Sequence, residues 1–215
     1  LLAVLVVFFN DWYELLLGAI DKVTKGKNSF ENKMFWYLII ATIPGAILGF
    51  LLDDIVENIF RTKIWLIALS LAVMGIFIYL GDRWADKHYK IETEYQHITL
   101  IQVIIIGLSQ SLAIIPGFSR SGTTILASRL MGLSKNAATK FTFLLSVPII
   151  IGATILKIGD LAFTLETFIG IFTSFIVGIF SIKFLLNYVK KHDFSIFAIY
   201  RIIFAAIILI KYFLF

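Results

Sequence analysis

The feature that most constrains the fold of this chain is a series of long apolar runs. Five of them approach the roughly 20 residues that a helix needs to cross the hydrocarbon core of a bilayer, at residues 34–52, 63–81, 141–158, 167–187 and 194–213. Of the 215 residues, 60% are hydrophobic and only 15% are charged, whereas soluble domains carry about 25% charged residues. The sequence therefore predicts an all-α polytopic membrane protein, with residues 1–215 forming a single integral membrane domain.

Three shorter apolar segments complete the pattern: a partial span at residues 1–19, and two helical arms at residues 98–115 and 123–133. Cytoplasmic loops carry an excess of Lys and Arg, and this excess favours a re-entrant pair at about 98–133, whose arms enter and leave on the same side. Two complete crossings would give the same orientation. The inside loops then contain Lys22, Lys25, Lys27, Lys33, Arg83, Lys87, Lys90, Lys135, Lys140, Lys190 and Lys191, and the outside segments contain Arg61, Lys63 and Lys211.

Two prolines inside predicted spans share a local pattern. Pro44 follows Thr42 and Pro148 follows Ser146, each at a distance of two residues. One interpretation is a pair of kinked helices, in which the Thr or Ser helps to satisfy the backbone carbonyl that each proline frees. The other is an inverted-repeat helical bundle, in which each half supplies a broken helix to a central site.

The turn that joins the two arms contains Arg120. A guanidinium at bilayer depth costs roughly 2.5–3.5 kcal/mol on insertion scales, so it persists mainly where it faces a cavity or an anion. An arginine fork matches a phosphate bidentately, hydroxyls add donors, glycines allow close approach, and a helix N-terminus favours anions. The turn therefore predicts a phosphate site made by Ser119, Arg120, Ser121, Gly122, Thr123 and Thr124, with Gly117 beside them.

A structural alternative exists for the same turn. Ser119 and Ser121 would only cap the short helix, while Arg120 extends to a lipid headgroup. Gln110, on the first arm, either faces the phosphate site or bonds across helices. Arg129, late in the second arm, is predicted to contact a headgroup or an inside loop.

Several classes of function are excluded or disfavoured. The chain has no cysteine, so thiolate chemistry and cysteine-ligated metals are excluded, and its three histidines lie in polar loops, where solvated side chains are commoner than ligands. The net charge of +5 comes from basic residues in short loops, where they set membrane orientation and indicate no nucleic-acid partner.

The stretch from Gly107 to Gly122 resembles the second signature of the undecaprenyl-diphosphate phosphatases of the bacitracin-resistance type. Further matches lie at Gly132–Ser134, Phe141–Pro148 and Ala41–Gly45, so the resemblance covers nearly the whole chain. It implies hydrolysis of undecaprenyl diphosphate to undecaprenyl phosphate and inorganic phosphate. That activity recycles the lipid carrier of peptidoglycan synthesis and confers bacitracin resistance.

The resemblance also implies inverted repeats with two re-entrant pairs in the bacterial plasma membrane, and an active site open to the outer face. It implies a divalent cation, Mg²⁺ or Ca²⁺, and is compatible with a homodimer. The resemblance implies that Arg120 and Ser119 are catalytic residues that bind phosphate. Ser121 and Thr124 occupy matching motif positions. Gln110 occupies the position that corresponds, in the other repeat, to an acidic residue of the family's first signature.

The family's first signature, a Glu-rich stretch followed by a Pro-Ile-Ser-Ser-Thr-Gly-His turn, is absent from these residues. The chain opens at Leu1 within an apolar run and is interpreted as a fragment whose N-terminal part is missing. On that interpretation the acid/base group and the metal ligands precede Leu1. If the chain were instead complete, we would expect substrate binding without turnover.

Three other functions fit the sequence less well. Phosphatases of the type-2 phosphatidic-acid class need a downstream histidine, and only His192 follows Arg120. A transporter or flippase of an anionic polyprenyl phosphate lipid could use the same broken helices, and would move lipid between leaflets without releasing phosphate. A purely structural membrane protein leaves the cost of Arg120 unexplained.

Overall fold

In the computed structural model, the described residues 1–60, 63–157, 159 and 164–214 form nine α-helices. Five of the helices are long and apolar enough to cross a membrane: α3, α4, α7, α8 and α9. The predicted all-α polytopic class is thus confirmed. The helices are α1 (Leu2–Val7), α2 (Phe9–Lys25), α3 (Phe30–Phe60), α4 (Ile64–His88), α5 (Leu100–Gln110), α6 (Arg120–Leu130), α7 (Lys135–Lys157), α8 (Leu165–Tyr188) and α9 (Ser195–Leu214).

The five predicted spans correspond one to one to the five long helices. The partial span predicted at residues 1–19 is divided into α1 and α2 at Phe8, and α2 continues to Lys25, where Gly26 takes a left-handed conformation and ends it. Arg61, predicted in an outside segment, and residue 158, predicted to end a span, lie outside the described residues.

Both proline-containing helices, α3 and α7, continue through their proline. A proline has no N–H, so the carbonyl four residues earlier loses its helical hydrogen bond. However, the Thr42 hydroxyl donates to Leu38 O at 2.7 Å and the Ser146 hydroxyl to Phe143 O at 2.6 Å, so neither reaches the freed carbonyl of Ile40 or Leu144. The predicted hydroxyl compensation therefore does not occur at these two positions.

The second helical arm begins three residues earlier than the sequence analysis placed it. The prediction was 123–133, but α6 runs from Arg120 to Leu130. The reason is the cap: the Ser119 hydroxyl accepts a hydrogen bond from the Gly122 N–H at 3.3 Å, which is the ordinary role of a serine N-cap. At the other end, Gly132 with φ +83° lets the chain leave the helix.

The two arms form a hairpin whose open ends lie side by side. Gln102, in the first turn of α5, donates from Nε2 to Met131 O beyond α6 at 3.0 Å. Thr93, ahead of α5, pairs with Leu133 in an isolated parallel bridge. At a rise of about 1.5 Å per residue, each of these 11-residue helices is about 16 Å long, roughly half the thickness of a bilayer's hydrocarbon core.

The core surrounds this hairpin. The side chains of Leu38, Ile106 and Phe141 are fully buried where α3, α5 and α7 meet. α5 crosses α3 closely, because Gly107 lies directly against the backbone of Ala41: a Cβ added to Gly107 would be 2.7 Å from both Cα and O of Ala41. Such close approach by small residues is typical of helix packing in membranes.

Replacing Gly107 by alanine should destabilise the protein by about 1–3 kcal/mol, the usual cost of overpacking. The added methyl group would meet backbone atoms of Ala41, which cannot rotate away. Chemical unfolding in detergent would measure the loss. The matched control is Gly170→Ala on α8, where an added Cβ meets nothing within 4 Å. An equal stability of the two variants would contradict the tight crossing.

Candidate functional site: an oxyanion site at the tip of the hairpin

The tip of the hairpin is held by two neighbouring helices. Gly117 has φ +98°, and an added Cβ would lie 2.6 Å from Ile67 O in α4, so only glycine fits here. From α9, Arg201 donates a hydrogen bond through Nη2 to Gly117 O. Ser119 is a non-glycine residue at φ +55°, a conformation that is uncommon outside functional or tightly constrained turns.

Arg120, the first residue of α6, has an exposed side chain that lines a cavity of about 220 Å³. The other residues of this cavity come from α3, α5, the turn after α5, and α7: Gly45, Gly49, Gln110, Ala113, Ile114 and Ile149. Gly45 directly follows Pro44, and Ile149 directly follows Pro148. The two proline-containing helices and the hairpin therefore converge on the cavity that Arg120 lines.

Gln110 both borders the Arg120 cavity and bonds across helices. Its side chain is buried and lines the Arg120 cavity, and its Nε2 donates across helices to Ala41 O at 3.4 Å. Its Oε1 is buried and has no hydrogen-bond partner among the described residues. A buried carbonyl oxygen without a partner is costly, so this oxygen is available to a donor or a cation in the cavity.

The remaining predicted site residues lie elsewhere around the tip. Ser119, Ser121 and Gly122 line a second cavity of about 140 Å³ between α4, α6, α8 and α9. Thr123 and Thr124 are buried, and both hydroxyls donate to Arg120 O, at 2.9 and 3.0 Å. These two threonines shape the first turn of α6, while Arg120 and Ser119 face different cavities.

The structure adds one residue that the sequence analysis missed. Arg201 lines the second cavity and is only 4% exposed. The signal was available, because Arg201 is a guanidinium inside the apolar run 194–213, the same pattern that singled out Arg120.

Arg129, at the other end of α6, is fully buried and surrounded by carboxylates. Its Nε donates to Asp82 at 2.7 Å and its Nη1 to Glu92 at 2.5 Å, while its Nη2 bonds Asp86. Burial by itself lowers the pKa of Arg129, but the hydrogen bonds and charges of Glu92 and Asp82 outweigh it and raise that pKa. Arg129 thus contacts a loop, because Glu92 lies in the segment before α5; that this loop lies on the inside stays a prediction.

The described residues do not gather a metal-ligand set. No group of three His, Asp or Glu side chains that could hold an ion occurs among them. Three of the carboxylates, those of Asp82, Asp86 and Glu92, are engaged by Arg129. Near the tip, Gln110 Oε1 and Ser111 Oγ are buried without a hydrogen-bond partner among the described residues, and these two neutral oxygens do not make a divalent-cation site.

These features define an all-α membrane protein with a candidate oxyanion site at the tip of a helical hairpin. The sequence model of one family, described as Bacitracin resistance protein BacA, matches residues 1–207 of the chain. The chain therefore belongs to the BacA family.

Several curated relatives resemble the chain over most of its length. The undecaprenyl-diphosphatase of Caldicellulosiruptor bescii is 45% identical over 219 residues, which cover 100% of this chain and 80% of the relative. The undecaprenyl-diphosphatase of Moorella thermoacetica is 42% identical over 217 residues, with coverages of 100% and 80%. That of Pelotomaculum thermopropionicum is 40% identical over 206 residues, with coverages of 94% and 75%.

Proposed function

We propose that this protein is an undecaprenyl-diphosphatase, a membrane hydrolase that converts undecaprenyl diphosphate to undecaprenyl phosphate and inorganic phosphate. Such a reaction regenerates the lipid carrier of peptidoglycan synthesis and counteracts bacitracin. Membership of the BacA family and three relatives of that name at 40–45% identity support the activity. The observation that carries it in the structure is Arg120, an arginine at a helix N-terminus that lines a cavity and makes no ion pair with a described residue.

The chemistry that this arrangement suits is attack of water on the terminal phosphorus of the diphosphate. The bond from that phosphorus to the bridging oxygen breaks, and undecaprenyl phosphate leaves. Negative charge on the phosphate oxygens must be neutralised throughout. Arg120 and the positive end of the α6 dipole provide that charge, so we assign phosphate binding and transition-state stabilisation to Arg120. Ser119 and Ser121, which line the neighbouring cavity, are further donors to the diphosphate.

We further propose that the hairpin α5–α6 is re-entrant. Two features support this: its helices are each about half a bilayer long, and its open ends are joined through Gln102 and Met131. The excess of Lys and Arg in the loops on that side then orients the hairpin's open end toward the cytoplasm. The other predictions of the sequence analysis stay predictions: the single domain at 1–215, the inverted repeat, the plasma membrane, the outer-facing active site and a homodimer.

A divalent cation, Mg²⁺ or Ca²⁺, is also part of the proposal. When bound, it would neutralise charge on the diphosphate, and it commonly binds largely through substrate phosphates. Because the described residues supply no ligand set, we assign no step to it. Removing divalent ions with EDTA should lower phosphate release about tenfold or more, given the several kcal/mol that a Lewis acid contributes, and Mg²⁺ should restore it. Unchanged release in EDTA would contradict the cation requirement.

The experiment that tests the function is phosphate release from undecaprenyl diphosphate by the purified protein in detergent. We expect release of one orthophosphate for each undecaprenyl phosphate formed. A folded protein that releases no phosphate would contradict the proposal. Movement of labelled lipid between the leaflets of a vesicle without hydrolysis would then identify a transporter.

A further inference from the structure

Three arginines surround the hairpin, and they differ in how their charge is balanced. Arg129 is neutralised by three carboxylates. By contrast, no ion pair within the described part of the chain includes Arg120 or Arg201. An uncompensated charge away from water is strongly destabilising. Among the described residues, Arg201 is buried and unpaired, whereas Arg120 is exposed and also makes no ion pair. Two unpaired cations beside one turn favour a ligand that carries more negative charge than a single anionic group does.

Arg201 is held in a fixed position below the tip. It is 4% exposed, and α9 packs closely against α4 at this level, since a Cβ added to Gly75 would lie 3.3 Å from the Cβ of Arg201. One nitrogen of its guanidinium, Nη2, donates to Gly117 O. Its Nε is buried and has no hydrogen-bond partner among the described residues. Holding the turn therefore uses only part of the donor capacity of this side chain.

The cavity that Arg201 lines also contains hydroxyl groups. Ser119 and Ser121 both line it, and they are the immediate neighbours of Arg120 in the chain. Arg120 itself lines the other cavity. Because consecutive Cα atoms are about 3.8 Å apart, the residues that line the two cavities adjoin one another at the tip. Donors for an oxyanion are thus present in both cavities.

An apolar groove continues from the second cavity. Leu185 and Phe197 line both the cavity and a neighbouring groove of about 510 Å³. Three further phenylalanines line the groove: Phe143, Phe180 and Phe184. A largely apolar cavity that contains an arginine and two serines, beside an aromatic groove, suits a phosphate attached to an apolar chain more than it suits a free phosphate ion.

We propose that the cavity lined by Ser119, Ser121 and Arg201 is a second phosphate subsite. The tip of the hairpin then binds both phosphates of one lipid diphosphate, with Arg120 on one phosphate and Arg201 on the other. The proposal rests on the proposed function, which supplies a diphosphate substrate. It assigns to Arg201 a binding role in addition to its hydrogen bond with Gly117.

The test compares the binding of diphosphates and monophosphates by isothermal titration calorimetry in detergent. The lipid-linked probes are the methylene-bridged analogue of farnesyl diphosphate, which cannot be hydrolysed, and farnesyl phosphate. The free probes are methylenediphosphonate and orthophosphate. For the wild type we expect each ligand with two phosphorus atoms to bind more tightly, by about tenfold or more, than the matching ligand with one. The reason is that the second phosphorus group adds charge-assisted hydrogen bonds. The farnesyl ligands should bind more tightly than the free ligands. Equal affinities of the farnesyl and the free ligands would contradict the inference that the bound phosphate is attached to a lipid.

Arg201→Gln should remove the preference for the two-phosphorus ligand, a loss of about tenfold or more, and leave monophosphate affinity within about threefold. Arg201→Lys, which keeps a charge and a donor, should recover part of the preference. Ser121→Ala, at an exposed side chain of the cavity, should reduce it by about threefold. The matched control is Arg83→Gln, an exposed arginine that lies over the Tyr79 ring, and it should change nothing.

An equal loss of affinity for both ligands in Arg201→Gln would mean that Arg201 only holds the turn, and would overturn the proposal. If that variant does not fold, Ser121→Ala decides, since an unchanged preference there means that the cavity binds no phosphate. Phosphate release by the wild type is a separate readout. A protein that shows the diphosphate preference without release lacks the proposed activity but retains the subsite.

Discussion

Replacing Arg120 by alanine should lower the rate of phosphate release from undecaprenyl diphosphate by about two orders of magnitude or more, the effect of losing a key charge-stabilising donor. Arg120 lines the cavity on which α3, α5 and α7 converge. Within the described chain, no other cationic side chain lines that cavity. Alanine leaves the helix intact, because the cap of α6 is formed by Ser119 and not by Arg120. The loss should therefore reflect chemistry and not unfolding.

Arg120→Lys separates charge from geometry. Lysine keeps the positive charge but cannot form the bidentate fork that arginine makes with a phosphate. We expect this variant to release phosphate faster than Arg120→Ala and more slowly than the wild type. The control is Arg83→Ala, which removes an exposed arginine and should leave the rate unchanged. All four proteins would be assayed with Mg²⁺ in the same detergent.

A wild-type rate in Arg120→Ala would show that the cavity is not where the diphosphate reacts. A rise in KM with unchanged kcat would show that Arg120 contributes equally to ground state and transition state. The proposed role requires a fall in kcat, because the charge on the phosphate oxygens must be stabilised while the bond breaks.

The membrane-spanning elements could be predicted because they depend on length and apolarity alone. The five spans followed from runs of apolar residues, and the structure places a long helix at each. The boundary of α6 was missed because it depends on one hydrogen bond, from Gly122 N–H to the Ser119 hydroxyl. The same residue types would also permit the later start at position 123, and sequence alone does not choose between them.

The candidate site was predictable in composition but not in arrangement. Arg120 stood out because a guanidinium in an apolar setting is costly, and it does line a cavity. Thr123 and Thr124 share its segment, yet their hydroxyls donate to Arg120 O, which a pattern of hydroxyl residues cannot reveal. Arg201 joins the same tip from 81 positions further along the chain, and such a contact depends on how α9 packs against α4.

The carboxylates around Arg129 lead to the second large prediction. Replacing Arg129 by methionine should destabilise the protein by about 3–5 kcal/mol, the cost of removing one partner from a buried ionic group. Asp82 is 3% exposed and would keep Lys135 Nζ at 3.7 Å as its one charged neighbour among the described ion pairs. Chemical unfolding in detergent would measure the change, with the exposed Arg83→Met as the control, expected within about 0.5 kcal/mol of the wild type.

A second substitution distinguishes buried charge from lost packing. Without Arg129, the Asp82 carboxylate stays buried and has lost its guanidinium partner, which is costly for a charged group. Asp82→Asn in the Arg129→Met background removes that charge and should restore part of the stability at neutral pH. No recovery in the double variant would instead mean that Arg129 holds α6 through packing, and that its charge is not what matters.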